Sequence, residues 1–105
     1  MSKTGKKLYQ ISIVNKNVAG IKLLFEKGAI NVKTENINGV PILMEAVSQG
    51  SVSIVDYLCE KGAFVDVQSK SLGVSPLMKS VSFQNKHLTL ILLRYGANPS
   101  LHNFG

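Results

Sequence analysis

The 105-residue chain has one cysteine and no tryptophan. A single cysteine, Cys59, cannot close an internal disulfide, and no Cys/His spacing of a metal site accompanies it. A fold stapled by disulfides or zinc is therefore excluded, and a reducing, intracellular compartment (cytoplasmic or nuclear) is the expectation. Only six residues are acidic, and no two are placed as a general acid and base. The two histidines, His87 and His102, fall near a helix start and in the last loop, while Cys59 falls on an apolar helical stripe. A buried thiol with no imidazole beside it is an inert core residue rather than a nucleophile. Lys3-Thr4-Gly5-Lys6 lacks the leading glycine and the preceding strand of a phosphate-binding loop. No apolar run reaches the roughly 20 residues of a membrane span, and no signal peptide opens the chain. These absences predict no enzyme activity, no cofactor, no metal and no membrane partner.

The net charge is +6, but Lys3, Lys6 and Lys7 supply half of that excess within seven residues. Residues 1–7 read as a basic, flexible tail. The other cations are scattered, without the basic stripe and interleaved aromatics of a nucleic-acid surface, so no nucleic-acid partner is expected.

What the chain does have is repetition. Leu23-Leu24-Phe25-Glu26-Lys27-Gly28-Ala29, Tyr57-Leu58-Cys59-Glu60-Lys61-Gly62-Ala63 and Ile91-Leu92-Leu93-Arg94-Tyr95-Gly96-Ala97 end alike, with the glycines a constant 34 residues apart. Gly39-Val40-Pro41-Ile42-Leu43-Met44-Glu45-Ala46 and Gly73-Val74-Ser75-Pro76-Leu77-Met78-Lys79-Ser80 keep the same step. Two features holding one spacing define a repeat architecture. Each unit reads as helix, turn, helix and extended loop. Ser75 can cap a helix that opens on Pro76. Ile54, Val55, Leu58 and Cys59 make one helical stripe, and Gly62 can end that helix in the left-handed conformation. Stretches such as Phe64-Val65-Asp66-Val67 are expected to form the arms of hairpin-like loops.

In register, these residues resemble the ankyrin repeat family over about residues 8–105. Ser75-Pro76-Leu77 is similar to the family's Thr-Pro-Leu. Gly50, Ile54-Val55, Leu58 and Gly62-Ala63 match the middle and end of its pattern, and Gly96-Ala97-Asn98 matches the end of the next copy. The resemblance implies an all-α ankyrin-repeat solenoid of helix-turn-helix units joined by hairpin-like loops. Its units span about 8–35, 36–69 and 70–102: two full repeats and a partial N-terminal one, with 103–105 the start of a further repeat. The first unit has a helix pair, Leu8 to Asn15 and Val18 to Glu26, without the Thr-Pro-Leu-His start. Met44 and Met78 stand where the family carries a histidine, and Pro41 comes one slot early, so the first helix of the second unit is expected to begin less tidily.

The same resemblance implies a protein-protein interaction module that binds through loop tips and the exposed face of each first helix. Carried over residue by residue, that surface comprises Ile37, Asn38, Val40, Glu45 and Gln49 of the second unit and Leu72, Val74, Lys79 and Phe83 of the third. Ser48, Ser71 and Ser82 flank it, and Ile11, Val14 and Asn15 could extend it. Ile37, Val40, Leu72, Val74 and Phe83 are apolar at slots that face solvent, so an apolar groove centred on Phe83 is one reading. The other folds these side chains inward against the hairpins. The partner is expected to be a protein, with the chain acting as an adaptor. The alternatives are a targeting fragment of a larger multidomain protein, or a repeat unit that self-associates through an uncapped C-terminal face rich in leucine.

Overall fold

The computed structural model describes the backbone of residues 2–104 and the side chains of residues 8–104. Among the described residues, six helices follow one another: α1 (Ser2–Val14), α2 (Val18–Glu26), α3 (Ile42–Ser48), α4 (Val52–Glu60), α5 (Pro76–Ser82) and α6 (Lys86–Arg94). They pair as α1–α2, α3–α4 and α5–α6. The pairs stack, with α1, α3 and α5 in one row and α2, α4 and α6 in the other. The stack is 38 Å long and 21 Å across its thinnest direction.

The caps follow from local chemistry. The Ser75 hydroxyl accepts from the backbone N–H of Met78 at 3.2 Å, ahead of Pro76 at the first helical position. The equivalent start of α3 is Pro41, which has no side-chain cap bond. Asn17 and Asn85 cap α2 and α6 through their side-chain oxygens. Gly28, Gly62 and Gly96 follow the second helices with positive φ, where a side chain would be strained.

The core is the seam between the rows. Tyr9, Ile21, Leu43, Val47, Ile54, Val55, Leu58, Leu88 and Leu92 are buried in it. Each unit has too little apolar surface to fold by itself, so neighbouring units supply the rest of one another's core.

Three local features add to or depart from the expectations. The helix α1 starts at Ser2, inside the stretch read as a tail, so a helical backbone continues through most of residues 1–7; the side chains there, Lys3, Lys6 and Lys7 among them, lie outside the described residues. The hairpin-like loops lie later than expected. The N–H of Asn36 donates to the carbonyl of Val40, and the N–H of Ser69 to that of Val74, whereas Phe64 to Val67 forms a turn. The 34-residue step also fails locally. Ile30 is buried but Phe64, 34 residues on, is exposed, and Val65 takes the buried place instead. Gly39 and Gly73 are again 34 apart, so the glycine spacing does not register the slip.

Candidate functional site

The expected surface is one side of the stack, where the loop tips overhang α3 and α5. Leu72, Val74, Lys79 and Phe83 come together around a groove of about 550 Å³. Leu72 projects from the loop before α5, and Phe83 ends α5 itself, 53% exposed. Val74 and Lys79 are half-buried between them. The groove also takes in Met44, Met78, Ser69, Ser71, Ser82 and Asn103. Met44 and Met78, noted in the sequence only as replacements for a histidine, thus line it with flexible, polarisable side chains.

The loops hold this geometry through backbone bonds. The N–H of Val74 also donates to the Ser69 hydroxyl at 3.0 Å. Gln68 donates from one amide nitrogen to the carbonyls of Gly73 (2.7 Å) and His102 (2.8 Å). The N–H of Phe104 donates to the carbonyl of Leu72. A Cβ on Gly73 would lie 2.3 Å from the Phe104 ring, and φ at Gly73 is +70°. Glycine is therefore needed there on two counts.

The second-unit residues divide. Ile37 is 96% exposed at its loop tip, with Asn38 beside it. Val40 is half-buried and Gln49 exposed, and none of these four lines the groove around Phe83. The inward reading therefore fails for Ile37, Leu72 and Phe83, while Val40 and Val74 lie between the two extremes.

Glu45 has a different engagement. Its carboxylate accepts from the Tyr9 hydroxyl at 2.7 Å and, at a longer 3.4 Å, from the Gln10 amide. Burial pushes the Tyr9 hydroxyl pKa up, and the hydrogen bond and charge of Glu45 push it further. Glu45 is thus a link between the first two units, a role its sequence neighbours do not signal because Tyr9 lies 36 residues away. A second link joins the next pair: the Tyr95 hydroxyl donates to Asp56 at 2.9 Å. The loops are tied as well, since the N–H of Asn98 donates to Asp66.

Cys59 is buried, and burial followed by the charge of Asp56 raises its thiol to about 11, so it is protonated at neutral pH. His87 and His102 are exposed. Among the described residues, no group of three His, Cys, Asp or Glu side chains could hold a metal ion, and no helix is long and apolar enough to cross a membrane.

A stack of two-helix units, with the first helices in one row and the second helices in the other, defines a helical-repeat scaffold. The ankyrin repeat family pattern matches residues 4–103 in three copies, and the chain belongs to that family. The chain is 33% identical over 91 residues to the E3 ubiquitin-protein ligase Ufd4 of Drosophila melanogaster, covering 87% of this chain and 3% of that protein. It is 37% identical over 71 residues to a putative ankyrin repeat protein of Acanthamoeba polyphaga mimivirus, covering 66% of this chain and 43% of that one. A putative ankyrin repeat-containing protein of Treponema pallidum is 27% identical over 90 residues, covering 86% of this chain and 30% of that one. The chain spans less than half the length of each of these relatives. Ankyrin repeats are in general protein-protein interaction modules, and the family is in general non-enzymatic, though some relatives are enzymes.

Proposed function

We propose that the chain binds a protein partner through the groove between the third-unit loop and α5, with Phe83 as its anchor. One observation supports this reading: Leu72 and Phe83 are exposed and line one groove together with the apolar side chains of Val74, Met44 and Met78. A packed helix pair below keeps the groove preformed, which lowers the ordering cost of binding. The half-buried Lys79 gives that apolar surface one cation. The matching partner is an extended or helical segment with a large apolar side chain and an acidic group beside it. Ile37 at the neighbouring loop tip extends the contact. The chain works as a non-enzymatic adaptor inside the cell, where its single cysteine stays reduced.

The similarity to a short part of the Drosophila ligase favours a second reading, in which the same groove is the targeting segment of a longer protein. Both readings place the contact on the same residues.

The test is Phe83→Ala measured against a captured partner. The expected result is at least a tenfold weaker dissociation constant. Unfolding free energy should change by less than about 1 kcal/mol, because the ring is half exposed. Unchanged affinity with lost stability would overturn the proposal.

A further inference from the structure

Each unit has two faces along the stack, one turned towards the unit before it and one towards the unit after. The internal junctions identify the positions on each. Phe25 meets Tyr57 edge-on, with ring centroids 5.4 Å apart. Lys22 lies over the same Tyr57 ring. Tyr9 donates to Glu45, and Tyr95 to Asp56. Tyr9, Phe25 and Asp56 therefore occupy forward-facing positions, and Glu45, Tyr57 and Tyr95 backward-facing ones.

The 34-residue step carries these positions to the two outermost faces. The forward face of the third unit has Leu77, Leu90 and Leu93 in the places of Tyr9, Asp56 and Phe25, with Leu77 buried beneath the two exposed leucines. Leu90 is 62% and Leu93 41% exposed, and with Leu77, Val81 and Leu101, Leu93 borders an open apolar depression of about 510 Å³. The backward face of the first unit presents Ile11, Leu23 and Lys27 in the places of Glu45, Tyr57 and Tyr95. Ile11 is 50% and Leu23 54% exposed.

The two faces match each other by the rule that builds the junctions already present. Where the internal junctions set Tyr9 against Glu45, these faces set Leu77 against Ile11. Where they set Phe25 against Tyr57, these set Leu93 against Leu23. Where they set Asp56 against Tyr95, these set Leu90 against the aliphatic stem of Lys27. Both polar links are replaced together, so neither face would leave one partner of a buried pair alone. Apolar faces of this kind mark association surfaces.

We propose that the forward face of the third unit docks against the backward face of the first unit of a second copy, head to tail. The contact is heterologous, so it leaves one free face of each kind on every assembly and does not stop at a dimer. Met78 and Ser82 border both this depression and the groove, but Leu90, Leu93, Ile11 and Leu23 do not line the groove, so the two contacts are separately testable.

The test is sedimentation velocity on the chain from about 1 μM to about 1 mM, a span that covers weak to moderate affinities. Average mass should rise with concentration and pass that of a dimer. Leu93→Lys disables one face and Leu23→Lys the other, so each variant alone should be monomeric. An equal mixture should form one species of two chains, because each variant keeps the face the other lacks. Circular dichroism checks that both are folded; Leu90→Lys and Ile11→Lys form a second pair should either fail. A monomer throughout, growth that ends at a dimer, or a mixture that stays monomeric would each overturn the proposal.

Discussion

Replacing Tyr9 with phenylalanine isolates the link between the first and second units. The Tyr9 ring is fully buried, and its hydroxyl donates to a Glu45 carboxylate oxygen at 2.7 Å. Phenylalanine keeps the ring and its packing and removes only the donor. A hydrogen bond to a charged group contributes about 1.5–3 kcal/mol. Glu45 is only half-buried and keeps the longer bond from Gln10, so water and that amide recover part of the loss. The expected cost is therefore near the lower end, about 1.5 kcal/mol. For a domain of this size that lowers Tm by about 6–12 °C. Urea unfolding of wild type, Tyr9→Phe, Glu45→Gln and the double variant closes a double-mutant cycle. The coupling should be about 1 kcal/mol, since the pair acts as a unit. A coupling below about 0.3 kcal/mol, the ordinary scatter of independent sites, would refute the link and leave the junction to apolar packing alone. A reduced urea dependence in Tyr9→Phe would show the first unit detaching, as nearest-neighbour stabilisation allows.

Two further predictions concern other parts of the stack. The Cys59 thiol is raised from 9.0 to about 11 in the fold, so its contribution is complete below pH 9 and is lost as pH rises towards 11. Stability measured by urea unfolding between pH 8 and 11 should fall across that window, and Cys59→Ala should flatten the fall; an unchanged slope would contradict the assignment. Gly73→Ala places a Cβ against the Phe104 ring at a backbone angle that disfavours side chains. It should cost about 1–2 kcal/mol by thermal or urea unfolding, and an effect below about 0.3 kcal/mol would contradict the described loop.

The helices were legible because their signals are local. Ser75-Pro76 specifies a start, Gly62 an end, and the stripe Ile54, Val55, Leu58, Cys59 a buried face, and all three depend on residues within a turn or two. The loops were less legible. Ile30 and Val65 are both buried although they are 35 residues apart, and Phe64, 34 residues after Ile30, is exposed, so the glycine step does not fix which loop residue turns inward. Glu45 was readable as a solvent-facing slot but not as the acceptor for Tyr9, because nothing near either residue encodes a bond across 36 positions. Of the nine residues carried over for partner binding, four line one groove: Leu72, Val74, Lys79 and Phe83. Those four share one loop and one helix, so their proximity follows from chain connectivity. The second-unit residues depend on how successive loops overhang, which side-chain packing decides. Met44 and Met78 carry no groove signal in the sequence, because methionine at a first-helix slot reads as core.

Hydrogen exchange by mass spectrometry, on the chain alone and with a captured partner, tests the proposed groove most directly. Added protection is expected over residues 36–40, 69–74 and the end of α5 around Phe83, with α2, α4 and the outer side of α6 unchanged. Protection confined to α2, α4 and α6, with the loop tips and α5 unaffected, would contradict the account.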